Sequence, residues 1–207
     1  MKSKKILIPV FLLAVLIAVY FFFVKSKGGN PNLDYKIGQI VDSLNDVYVY
    51  FNGDIENEGE KSLSSDKFNF GYKYSCNEFV NRYYYNVYKL KINGSSIEPK
   101  DYFDKEIPDG ELNPKFNLLQ FTNPSFSLPF IGDVLILDKN EEFPNGHLAI
   151  VSNIYDGAFE VIQQNAGPFS NTRALFGCGD YGNKYKVDNK RVLGWLRIKE
   201  DVSRETK

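Results

Sequence analysis

Ser75-Cys-Asn-Glu-Phe-Val-Asn-Arg-Tyr-Tyr-Tyr-Asn-Val-Tyr-Lys-Leu90 carries the clearest helical period in this chain. Cys76, Phe79, Val80, Tyr83, Val87 and Leu90 fall at i, i+3, i+4, i+7, i+11 and i+14, one apolar stripe at 3.6-residue spacing. Ser75 followed by Glu78 is a capping-box pattern, with Ser75 at the N-cap and Glu78 at N3. Cys76 therefore falls in the first helical turn. A helix amino terminus carries about half a positive charge and unpaired N–H donors, both of which favour a thiolate. The same donors can hold the oxygen of a tetrahedral intermediate, so this stretch predicts a nucleophile beside part of an oxyanion hole. Its bland alternative is a small buried cysteine opening an apolar stripe.

Downstream the period changes to two. Residues 133–137, 148–154, 159–163 and 192–198 read as strands rich in Ile, Val and Leu, and Asp156-Gly157 is a hairpin signal. One helix packed on an antiparallel sheet predicts the α+β class. Upstream the reading is mixed. Ile37, Ile40, Val41, Leu44 and Val47 have helical spacing, whereas Val47-Tyr-Val-Tyr-Phe51 looks like a strand. Residues 52–67 read as an exposed loop, and 98–128, rich in Pro, Asp and Asn, as loops and short pieces.

The first 27 residues are of another kind. Three lysines precede Ile6–Val24, an uncharged run that Lys25 and Lys27 close. It is long enough, at roughly 28 Å, to cross a bilayer once, and the lysine balance puts its amino end in the cytoplasm. The expected organisation is a transmembrane anchor or signal peptide over 1–27, a linker over 28–34, one domain over 35–198 and a tail over 199–207. That topology would place the domain outside the cytoplasm, or secrete it if the segment is cleaved. The net charge of -1 offers no basic field for nucleic acid, and 17 Phe with 14 Tyr argue for a packed core. With one histidine and no CxxC, a zinc cluster has too few soft ligands, so no metal or other cofactor is expected.

His147 is the only histidine, in Phe143-Pro-Asn-Gly-His-Leu-Ala-Ile-Val151. Any histidine-dependent chemistry passes through it. Cys178, in Phe176-Gly-Cys-Gly-Asp-Tyr-Gly182, reads as a glycine-rich loop thiol with nothing to activate it, or as a disulfide partner of Cys76. A Cys–His pair needs a third group to orient the ring. Gln163, Gln164 and Asn165 are at hand, and the register chooses among them. A two-residue turn at Asp156-Gly157 puts Gln164 on the histidine's face, whereas a three-residue loop puts Gln163 and Asn165 there.

Tyr74-Ser-Cys-Asn-Glu-Phe-Val-Asn-Arg82, Gly132-Asp-Val-Leu-Ile136, the His147 segment, Val161-Ile-Gln-Gln-Asn165 and Leu193-Gly-Trp-Leu-Arg-Ile198 occur in the order seen in CHAP domains, the cysteine, histidine-dependent amidohydrolases/peptidases. The chain resembles most the branch that includes glutathionylspermidine amidase, over residues 35–198. The resemblance implies a papain-like (NlpC/P60-like) fold, Cys76 as nucleophile, His147 as base, Gln163 orienting the ring and Asn165 in support. It departs at Ser75, often glutamine in such domains, and at Gln163, often glutamate. An amide oxygen can still accept an imidazole Nδ1–H bond but brings no charge. The implied function is a membrane-anchored, extracytoplasmic amidase or peptidase acting on peptidoglycan. The alternatives are a small γ-glutamyl or polyamine amide such as glutathionylspermidine as substrate, and an inactive binding domain.

Overall fold

The computed structural model describes residues 35–53, 60–167 and 171–199. Strands β1 (Ile40–Leu44) and β2 (Val47–Tyr50) form one hairpin, β3 (Lys61–Leu63) and β4 (Asn69–Tyr72) a second, and helix α1 (Cys76–Tyr88) follows. A 3-10 turn spans Pro99–Tyr102. Then come β5 (Glu111–Asn113), β6 (Leu118–Thr122), β7 (Val134–Leu137), β8 (His147–Tyr155), β9 (Ala158–Ile162), β10 (Arg173–Tyr181), β11 (Lys184–Val187) and β12 (Val192–Ile198). The last eight strands make one sheet in the order β11-β10-β9-β8-β7-β12-β6-β5. Every neighbouring pair is antiparallel.

The expected α+β, papain-like class is therefore corrected: among the described residues the chain is mainly antiparallel β, with α1 its one α-helix. The excess strand comes from segments whose sequence period misled. Ile37, Ile40, Val41, Leu44 and Val47 carry helical spacing, yet Asn45 and Asp46 take φ of 49° and 63°, the pair of positive values a tight hairpin turn demands. That turn folds the segment into β1–β2. The stretch 98–128 supplies β5 and β6, and Phe176–Tyr181 of the glycine-rich run belong to β10 rather than to a loop. The transmembrane run 6–24, the linker 28–34 and the tail from 200 onward lie outside the described residues. The expected anchored architecture and the extracytoplasmic placement resting on it are corrected to what the described residues show: no helix among them is long and apolar enough to cross a membrane.

The sheet curls. Ser125, just after β6, exchanges both backbone hydrogen bonds with Tyr185 of β11, at 2.9 and 2.8 Å, and so draws opposite ends of the strand order together. Two cores result from strand alternation. Leu135, Ala149, Val151, Val161 and Trp195 fill the inside of the curl, where the Trp195 and Phe121 rings stack at 6.0 Å. Val134, Ile136, Leu148, Ile150 and Ile162 face outward against Phe79, Val80, Tyr83 and Tyr84 of α1. Both faces of β7 and β8 are thus covered, which is why their central residues read as continuous apolar runs. Gly194 is required where the sheet is tightest: a Cβ there would lie 2.0 Å from the Phe121 carbonyl oxygen.

Candidate active site

The helix start forms as its sequence dictates, in half. Ser75 is the N-cap, with extended backbone, and its Oγ accepts the Glu78 N–H at 3.2 Å. The reciprocal half of the box is absent, because the Ser75 N–H donates to the Tyr72 carbonyl and the Glu78 carboxylate turns elsewhere. Arg82 Nε donates to that carboxylate at 2.6 Å, Ser62 Oγ at 3.0 Å and Gln164 Nε2 at 2.8 Å. Gln164 also donates to the Ser75 carbonyl at 2.9 Å and accepts the Tyr50 N–H at 2.9 Å. It is the tie between the first hairpin, the end of β9 and the cap of α1.

Cys76 is 6% exposed. Its thiol donates weakly to Asn77 Oδ1 at 3.5 Å and receives the N–H of Leu148, the amide of the peptide bond that leaves His147. The N–H groups of Cys76 and Asn77 favour the thiolate, as the helix end predicts. Burial nevertheless outweighs all three amides and pushes the thiol from 9.0 up to about 11. Below the sulfur lies a polar floor that the sequence did not disclose. Asn77 Nδ2 donates to the carbonyls of Gly94 and Ile97 at 3.0 and 2.7 Å, and the buried Tyr102 hydroxyl donates to Asn81 Oδ1 at 3.4 Å.

Gly146 delivers His147 to the strand. Its φ is 82°, and a Cβ would meet the Leu137 carbonyl oxygen at 2.6 Å. The His147 ring is 4% exposed and its Nε2 lies 3.2 Å from Gln163 Oε1. Gln163 Nε2 donates to the Asn171 carbonyl at 3.0 Å, which fixes the amide so that its oxygen faces the ring. An amide oxygen only accepts, so Nε2 carries the proton and Nδ1 is the basic nitrogen. That reverses the expected assignment of the nitrogens. Burial, with the Arg191 charge nearby, lowers the imidazole from 6.5 to about 4.

The register combines both alternatives left open by the sequence. The turn at Asp156-Gly157 is the two-residue kind, pairing Tyr155 with Ala158, Ile154 with Phe159 and Asn153 with Glu160. A bulge at Ser152 then shifts the ladder, so Val151 pairs with Val161 and Ile150 with Ile162. Continued alternation places Gln163 on the histidine's face and Gln164 on that of α1. Ser152 Oγ holds the bulge by donating to the Glu160 carboxylate at 2.8 Å.

Cys76 and His147 thus approach the start of β8 from its two sides, with their hydrogen bonds directed to Leu148 and Asn77 in one case and Gln163 in the other. No thiol–imidazole hydrogen bond is formed among the described residues. Asn165, three residues beyond β9, lies in the left-handed region at φ 58° and makes no side-chain hydrogen bond among the described residues. Cys178 is a buried residue of β10 inside the curl. Both cysteines are free, so the disulfide alternative is not realised. No group of three or more His, Cys, Asp or Glu among the described residues is placed to hold a metal ion.

These two groups set a pH window for folding. The folded imidazole resists the proton that an unfolded one takes below 6.5, so stability falls as pH drops from 6.5 to about 4. The folded thiol keeps the proton that an unfolded one loses above 9.0, so stability falls again as pH rises from 9.0 to about 11. Each limb is worth on the order of 3 kcal/mol. Carboxylates held below their usual range, Asp42 and Glu160 by Arg173 and Asp109 by backbone amides, add to the loss as pH falls below 4.5 for Glu160 and 3.8 for the two aspartates. Urea melts between pH 4 and 7 on wild type and His147→Gln should show the acid limb flattened in the variant; equal slopes would remove the imidazole as its cause.

No family model matches this chain, and no curated protein matches it. Among solved structures it is similar to Ly7917, with TM-score 0.39 and 16% identity over 61% of this chain and 53% of that one. It is also similar to the wild-type endolysin LysIME-EF1, with TM-score 0.38 and 16% identity over 69% and 59% of the two chains. Ly7917 was also solved with the hydrolysing product of MDP; that structure matches at TM-score 0.27 and 22% identity, over 36% and 30%. The chain spans little more than half the length of the first two.

Proposed function

We propose that this chain is a CHAP-like cysteine amidase or peptidase that cleaves amide bonds, with peptidoglycan stem peptides as the substrate class and Cys76, His147 and Gln163 as the working residues. The observation that carries the reading is the orientation of the only histidine: Gln163 holds its Nε2–H, leaving a basic Nδ1, while the peptide bond leaving that same residue donates to the Cys76 sulfur. Both groups are neutral at pH 7, so the reaction starts from thiol and imidazole rather than from a preformed ion pair. Substrate entry brings Nδ1 within reach of the thiol, whose proton it takes as Sγ bonds to the carbonyl carbon; in unliganded enzymes such contacts are commonly long. The amides at the start of α1 face the oxyanion, the imidazolium protonates the leaving amine, and water resolves the thioester. Asn165 would join only if its side chain turned towards the ring.

Digestion of purified peptidoglycan by wild type and Cys76→Ala, with the released ends identified by mass, tests this directly. New amine and carboxyl ends are expected from wild type alone. Identical digests would exclude the reading, and cleavage of γ-glutamyl amides only would move it to the small-amide alternative.

A second reading, a binding domain without turnover, is favoured by the raised thiol and by the missing thiol–imidazole hydrogen bond. Iodoacetamide labelling at pH 7 separates the two. Labelling of Cys76 that accelerates when peptide amide is added supports the enzyme, and labelling that only slows supports binding.

A further inference from the structure

Arg191, at the entry to β12, is a cation that lies beside the proposed base and forms no ion pair among the described residues. Its Nε donates to the Asp138 carbonyl at 3.0 Å, but its Nη2 is shut from solvent and has no hydrogen-bond partner. Asp138 and Glu142 act on it through space only, and no ion pair to Arg191 is formed among the described residues. What covers the guanidinium is the ring of Phe143, whose centroid is 5.1 Å away. The same ring tilts against His147, with 5.1 Å between centroids. Phe143 thus contacts both the guanidinium and the imidazole, from a turn tied by its own carbonyl to the N–H groups of Asn140 and Gly146 at 3.1 and 3.0 Å.

A buried guanidinium donor without an acceptor is a rare arrangement, because buried polar groups are nearly always hydrogen-bonded and guanidinium N–H groups pair strongly with anionic oxygens such as those of a carboxylate. An aromatic face balances part of the charge but accepts no strong hydrogen bond. We propose that Arg191 receives a carboxylate of the substrate, and that displacement of the Phe143 ring uncovers Arg191 and His147 together. The inference rests on the reading of His147 as the base and narrows its substrate class: an acyl amino acid or peptide amide with a free carboxylate close to the scissile bond. One side-chain movement opens both the anion receptor and the base, so a ligand lacking the carboxylate gains less from displacing the ring.

The test uses the full chain with Cys76→Ala, which removes turnover, and two probes, N-acetyl-D-alanine and its primary amide. His147 is the only histidine, so its ring proton signals report binding without assignment ambiguity. The acid should bind at least tenfold more tightly than the amide, the discrimination expected of one charge-assisted hydrogen bond, and should raise the imidazole pKa. Adding Arg191→Gln should abolish the difference, and Arg191→Lys should keep part of it, with melting curves confirming that both variants are folded. Equal binding of the two probes, no binding of either up to the millimolar range, or discrimination that survives in folded Arg191→Gln overturns the proposal. Peptide cleavage by wild type is scored separately. Carboxylate binding without cleavage removes the amidase reading alone, and cleavage indifferent to the carboxylate removes Arg191 alone.

Discussion

His147→Ala should lower kcat for the proposed amide cleavage by about 10²- to 10⁴-fold, the range spanned by general acid–base catalysis. No other imidazole in the chain can stand in. The loss should appear in kcat rather than KM, because the base acts on the thiol proton and not on substrate binding. Gln163→Leu should reproduce a smaller part of it, since the ring then loses the acceptor that holds Nε2–H and presents Nδ1. Steady-state rates on the released-amine assay, with folding checked by circular dichroism, decide the matter. A His147→Ala enzyme within a factor of about five of wild type would leave the site without a base and end the proposed mechanism.

The largest effect on stability falls at the cap of α1. Arg82→Met strands the Glu78 carboxylate, whose side chain is 3% exposed and whose ion-pair partner among the described residues is the Arg82 guanidinium, itself 13% exposed. Removing one partner of a buried pair typically costs about 3–5 kcal/mol, and the donors that remain, Gln164 and Ser62, favour the lower end. At about 3 kcal/mol the melting temperature of a domain this size drops by roughly 6–12 °C. Arg82 also donates to the Tyr48 carbonyl at 2.8 Å, so the first hairpin loosens with it. A loss below about 1 kcal/mol, the value of an exposed pair, would show that the pair is solvated in solution.

The helix was legible because stripe, cap and length agree over Ser75–Tyr88, and β7, β8, β9 and β12 because apolar runs are bounded by turn residues. The class was misjudged where propensity and pairing conflict. Ile37, Ile40, Val41 and Leu44 mimic a helix, and only the turn conformation of Asn45-Asp46 shows that they do not form one. Cys76 and His147 could be named as candidates because each sits at the start of a legible element, and Gln163 only through the resemblance. Gln164 could not be told from Gln163, since neighbouring identical side chains differ only in the face they reach. Tyr102 and Arg191 were invisible for another reason: their roles depend on contacts across long stretches of sequence, to α1 and to the turn before β8. The thiol's raised pKa was equally hidden, because the helix end is local whereas burial is a property of the assembled fold.

The extra residue at Ser152 has a consequence for how this site is encoded. Gln163 and Gln164 are chemically identical, and what separates a ring-holder from a cap-holder is the one residue the ladder sets aside between histidine and hairpin tip. Ironing the bulge flat at unchanged length would bring Ala149 opposite Gln164 and send that amide to the imidazole and Gln163 to the helix, whereas excising Ser152 would leave Val151 opposite Val161 and both amides where they are. Specification of this site therefore lies as much in counting as in chemistry.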